Sequence, residues 1–261
     1  MALSRAVGPT GLVYTYEPLT PVIGALRTNK LMNRLDNVRP IQAAVGAPEA
    51  EGETIEVPTT LADYGTYSLV LSHAANHESI AKAEKQEVPM LSLDSEFPPG
   101  SKCPSLVKAD VEYMELSVVK GGAKMLTRCR PTLVLEYNMH TEEVLQWDEG
   151  ALPLYLTELG YDVYWALSSM CRPDQIGTYF KATAEELATT TCIGHLSQNL
   201  LAIHTGGSQE SISTPAFQIP PWPLTRWHAD RRDTWSVCGG EKLLLPAPGP
   251  SHQKQVISKC Y

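Results

Sequence analysis

Long apolar runs are missing from this chain of 261 residues. None approaches the roughly 20 consecutive apolar residues that a membrane-spanning helix needs. The opening MALSRAVGPTG has no apolar core of the secretory kind, so no signal peptide is expected. Cysteine is sparse: the six, at positions 103, 129, 171, 192, 238 and 260, include no C-x-x-C pair and no short regular spacing. In a chain of this size that predicts free thiols in a reducing, cytoplasmic setting. Positive charge is also short, with 21 Lys and Arg against 29 Asp and Glu. The resulting net charge of −8 argues against a nucleic-acid backbone as the main partner. There is no G-x-S-x-G, no Walker loop and no G-x-G-x-x-G, so hydrolase, nucleotidase and dehydrogenase readings lack their motifs. His73 and His77 are four apart, but no Glu completes an H-E-x-x-H arrangement, so no zinc site is expected.

What is present is enough for a folded body. Hydrophobic residues at 43% and charged residues at 19% describe a globular protein with a substantial core. The informative stretch is residues 105–138, SLVKADVEYMELSVVKGGAKMLTRCRPTLVLEYN. A short apolar run ends in Asp110. Leu116, Val119, Ala123 and Leu126 then recur at helical spacing, and Pro131 stops the helix. A second apolar run, residues 132–135, closes on Glu136. Two strands joined by a helix of this length are most simply parallel neighbours. Residues 12–16 (LVYTY) form an earlier run that ends at Glu17. Three strands ending in carboxylates would set Glu17, Asp110 and Glu136 along one rim, where ligands of open α/β sheets sit. The alternative for any one of them is a loop start or helix cap, and Asp110 fits a helix N-cap as well.

Elsewhere the expected elements follow from caps and breakers. Residues 2–7 read as the tail of a helix ended by Gly8-Pro9. Residues 20–35 read as a helix with Thr20 as cap, Pro21 in the first turn, and Val22, Leu26, Leu31 and Leu35 toward the core. Residues 38–45 read as one strand, at an edge because of Pro40. Extended pieces are expected near 54–57 and 88–93, then a short helix at 93–97. Residues 59–87 give no clear pattern, and 74–85 could be helical. Beyond the central unit, 152–159 reads as a helix capped by Gly160, and 161–167 and 198–204 as strands. Residues 168–194 read as a long excursion with helical turns near 184–188. After His204 the chain turns rich in Gly, Ser and Pro, and no further strand is expected there.

The central residues carry a family resemblance. Asp110-Val111-Glu112-Tyr113-Met114-Glu115-Leu116, then Val119-Lys120-Gly121-Gly122-Ala123, then Arg130-Pro131 and Glu136, resemble the signature block of FkbM-type methyltransferases. That block reads D-V-E-G-x-E-x-x-V-L-x-G-A, followed by R-P and a strand ending in Glu; Tyr113 stands where the family has glycine. Val7-Gly8-Pro9 through Glu17-Pro18, Asn37-Val38, Ala43-Ala44-Val45-Gly46, Leu93-Asp94, Leu159-Gly160-Tyr161 and Asn199-Leu200-Leu201 fall in the family's order. The resemblance covers about residues 3 to 204.

The resemblance implies a Rossmann-like α/β fold with a mostly parallel sheet over residues 1–205, and an irregular tail over 206–261. It implies S-adenosyl-L-methionine as cofactor and methylation of a hydroxyl on a small-molecule or glycan-like acceptor. By the same resemblance Glu17 would hold the cofactor's ribose hydroxyls, a task a carboxylate acceptor suits. Gln42 and Ala43 would lie by the adenine, though an ordinary buried turn explains them equally well. Asp110 and Glu112 would flank the methyl donor and acceptor, and they could alternatively hold Mg²⁺. Glu136 and His140 are candidates for the base that takes the acceptor's proton. Asp63-Tyr64-Gly65 would form an acceptor-side loop. Sixteen residues precede Glu17, and the family's first strand and glycine-rich turn have no counterpart in them. The competing expectation is therefore a non-catalytic remnant, or fragment, of the fold serving as an interaction module.

Overall fold

The computed structural model describes residues 2–49, 52–59, 84–137, 151–166, 178–181, 199–206 and 242–244. They divide into two compact units. One comprises residues 1–101 with 116–125, the other residues 102–115 with 126–261.

In the first unit, helix α1 (Ala2–Ala6) ends at Gly8, whose φ of 70° suits glycine. Strand β1 (Val13–Tyr16) pairs in parallel with β2 (Val38–Ile41), across helix α2 (Thr20–Met32). The Asn37 amide donates to the carbonyls of Ser4 and Gly8, tying α1 to the start of β2. The expected single strand over 38–45 is two. β2 stops at Ile41, and β3 (Ala44–Val45) joins a different sheet, in the order β3-β5-β4 with β4 (Thr54–Pro58) and β5 (Lys85–Leu91). Helix α2 also differs from expectation at both ends. Thr20 is its first residue rather than its cap, and the Thr20 hydroxyl donates to Gln86 instead. Leu31 and Met32 lie outside, 75% and 78% exposed, and Ile23 is the fully buried position. Residues 31 and 32 are in the last turn of the helix. Leu19, Val57 and Val88 form a small core with Val22 and Ile55 against it.

Short helix α3 (Leu93–Glu96) starts at Ser92, whose hydroxyl accepts from the Ser95 amide. Asp94 then accepts from the amides of Met125 and Lys124 at 2.7 and 3.3 Å, capping the next helical turn. The helix expected between the two central strands is broken into α4 (Glu115–Gly121) and α5 (Ala123–Cys129), with Gly122 as the joint. Gly121 lies directly on the carbonyl of Gly46, where a Cβ would overlap the backbone.

The second unit holds a six-stranded sheet in the order β11-β9-β8-β10-β7-β6. Its strands are β6 (Leu106–Ala109), β7 (Thr132–Glu136), β8 (Tyr161–Ala166), β9 (Thr178–Lys181), β10 (Asn199–His204) and β11 (Lys242–Leu244). β6 and β7 are parallel neighbours as expected, but every other pairing in this sheet is antiparallel. A mostly parallel sheet is thus replaced by mixed ones. An apolar run marks a strand without marking its direction, and the long links to β9 and β10 permit either. β9 and β11 were not expected; β11 pairs with β9 from within the Gly-, Ser- and Pro-rich stretch. On β7, Leu133 and Leu135 are buried while their neighbours are half-buried, the period of a strand covered on one face. Helix α6 (Ala151–Glu158) buries Leu152 and Leu156 and ends at Gly160, φ 85°.

Cys103 and Cys129 are joined by a disulfide, against the expectation of free thiols. They are 26 residues apart without motif spacing, and the fold sets their Cα atoms 5.3 Å from each other. Cys171, Cys192, Cys238 and Cys260 lie outside the described residues, as do residues 63–65, 74–83 and 184–188.

Candidate functional site

The register of β6 and β7 sets Ala109 opposite Leu135, so the residues that follow, Asp110 and Glu136, emerge side by side. Both are carboxylates at the carboxyl ends of parallel neighbours. Their carboxylates are close neighbours, so the charge of Asp110 disfavours ionisation of Glu136. Glu112 joins them from the next loop. An oxygen of each of the three lies within 4.8 Å of the others, with Asp110 exposed and the two glutamates half-buried. Burial, then the charges of Asp110 and Glu112, push the Glu136 carboxyl up to about 7. The Lys108 ammonium offsets part of this charge through a 2.6 Å ion pair with Asp110. Such an oxygen set could also accommodate a divalent cation, although Lys108 already pairs with Asp110.

The loop that brings Glu112 in is backbone-strained. Glu112 and Tyr113 have φ of 49° and 80°, values that favour glycine. Tyr113 stands where a glycine would adopt this turn freely. Burial raises its phenol, followed by the charges of Glu112, Glu136 and Glu115, so the ring adjoins the acids. Glu115, the first residue of α4, is 5% exposed and accepts from the Val111 amide at 2.8 Å. Sequence reasoning assigned Glu115 no role. The available signal was an acid between Met114 and Leu116 at a helix start, which marks burial.

The other expected site residues belong to the first unit or lie outside. Glu17 follows β1 and is half-buried. Burial raises its carboxyl, and one oxygen accepts from the Leu19 amide at 2.8 Å. The second Glu17 oxygen has no partner among the described residues. Gln42 donates its amide to the Thr20 hydroxyl at 2.8 Å and the Pro18 carbonyl at 3.5 Å, and Ala43 is fully buried. As placed, these two shape the turn around Glu17 rather than presenting atoms of their own. His140 is outside the described residues.

A family model described as the methyltransferase FkbM domain matches residues 1–163. The chain belongs to the FkbM methyltransferase family. No curated protein matches it significantly. Among solved structures it is similar to the methyltransferase FkbM from Methylobacillus flagellatus KT, at 16% identity and a TM-score of 0.38. That match covers 77% of this chain and 40% of the other, so the matched part spans less than half of that FkbM protein. Within this FkbM domain, the D-V-E and R-P…E segments are the two that meet at Asp110, Glu112 and Glu136.

Proposed function

We propose that this FkbM domain is an S-adenosylmethionine-dependent methyltransferase acting on a hydroxyl of a small-molecule or glycan-like acceptor. The observation that carries this reading is the cluster of Asp110, Glu112 and Glu136 at the ends of β6 and β7, in which burial and the neighbouring charges push the Glu136 carboxyl up to about 7. When bound, S-adenosylmethionine supplies a methyl group on a sulfonium, an electrophilic carbon. The protein's part is to orient the acceptor oxygen toward that carbon and to accept its proton. Glu136 is the base, Asp110 the neighbouring carboxylate whose charge raises its proton affinity, and Glu112 a second acceptor that orients the hydroxyl. Glu136 would take the acceptor hydroxyl's proton, while the methyl's bond to sulfur would break in exchange for the new carbon–oxygen bond and leave S-adenosylhomocysteine. Glu17, whose second oxygen has no partner among the described residues, fits the ribose hydroxyls, and Gln42 and Ala43 fix the turn that presents it. His140 is held in reserve as an alternative base. We assign the chemistry to residues 1–205, with 206–261 as an appendage to it.

Calorimetry with S-adenosylmethionine and S-adenosylhomocysteine, together with release of S-adenosylhomocysteine over a panel of hydroxylated acceptors, tests this reading. Micromolar binding and acceptor-dependent release support it. Absence of both would mean a fold that has kept its acids without the chemistry.

A further inference from the structure

We propose that Glu115 is a positioning residue, a buried carboxylate that clamps the loop between β6 and α4 so that Glu112 is held against the Asp110–Glu136 pair. The inference rests on the reading of that pair as the proton acceptor. Its basis is geometric. The Glu115 carboxyl is buried and folds back on the loop, accepting from the Val111 amide at 2.8 Å, with the amides of Tyr113 and of Glu115 itself facing it. Between them stand Glu112 and Tyr113 in left-handed backbone, a conformation that non-glycine residues hold only when surrounding bonds over-determine it. Burying a carboxyl group is costly unless it is hydrogen-bonded, and here the Val111 amide supplies a bond. Without the clamp, the loop would relax toward ordinary φ values, and Glu112 would swing away from the acids it faces.

The test compares Glu115→Ala and Glu115→Gln with the parent in the full chain. Gln keeps one carbonyl oxygen for the amides and so rescues part of the clamp. In Glu115→Ala, hydrogen exchange at the Val111 and Tyr113 amides should quicken about 10-fold or more, while amides in the β6–β7 ladder keep their rates. Turnover should fall about 10- to 100-fold with the KM for S-adenosylmethionine little changed, because the first unit's Glu17 is untouched. Glu115→Gln should lie between the two in both readouts, and it decides the matter if the Ala variant does not fold. Unchanged exchange at Val111 and Tyr113, or equal losses in Gln and Ala, would overturn the clamp. Loosened amides with parental turnover would overturn the positioning role. A parent with no methyl transfer to any acceptor would instead remove the functional reading beneath it, an outcome separable because exchange still reports the clamp.

Discussion

Glu136 acquires its proton affinity from burial first and from two neighbouring carboxylates second, and both causes have consequences at the scale of one residue. If Glu136 takes the acceptor's proton, turnover should rise with pH and level off above about 7, where the carboxylate is ionised. Glu136→Gln should lower turnover about 10²- to 10⁴-fold and flatten that limb; a pH–rate profile of both proteins checks this. At Glu17 the expectation concerns affinity instead. Glu17→Ala removes a charge-assisted acceptor, which costs about 1.5–3 kcal/mol, or roughly 10- to 150-fold weaker cofactor binding by calorimetry. Asp110, Glu112 and Glu136 were legible in the sequence because an acid closing an apolar run, or just beyond it, lands at a strand's end. Glu115 was not. Its proposed role comes from where its carboxyl turns back onto the loop, which no spacing rule records.

Helical segments show what pattern reading reaches and where it stops. The stripe from Leu116 to Leu126 located the crossover and its burial, and the parallel pairing of β6 with β7 followed from it. The break at Gly122 did not show, because two glycines in a helical pattern are tolerated until a neighbour demands close approach. The Gly46 carbonyl makes that demand of Gly121. Gly121→Ala should therefore cost at least about 2 kcal/mol, since backbone rather than a flexible side chain must yield. Gly24, within α2, has nothing within 4 Å of its would-be Cβ. Gly24→Ala should stabilise by about 0.5–1 kcal/mol. Denaturant unfolding of the two variants, expected to move in opposite directions, checks both.

Across the whole molecule, acids set the pH response. Burial raises the carboxyls of Glu17, Glu115 and Glu136 above their ordinary values. Between about 4.5 and 7 the folded state thus keeps a proton on Glu136 that the unfolded chain has released. Where the native state binds more protons, stability falls as pH rises. The loss from Glu136 across that window should be about 1 kcal/mol once screening of a half-exposed group is allowed for, read as a lower denaturant midpoint at pH 8 than at pH 5. Strand number and direction were the least legible features, since β8 to β11 are ordered by long-range pairing rather than by local pattern. The cysteines misled for the same reason. None of the described helices is long and apolar enough to cross a membrane, and bonds such as Cys103–Cys129 are commoner in oxidising compartments than in reducing ones. Cys103→Ser should cost about 3 kcal/mol from the closed stretch of 26 residues, measurable as a lowered unfolding midpoint. That stretch is also a covalent ring, and it carries Asp110, Glu112 and Glu115 together with the exposed Lys108, Lys120, Lys124 and Arg128. A protease that cuts once at any of these cations adds a water and releases nothing. Nicked and intact molecules would migrate together until a reductant parts the two halves, so a gel run with and without reductant reveals whether the ring is closed.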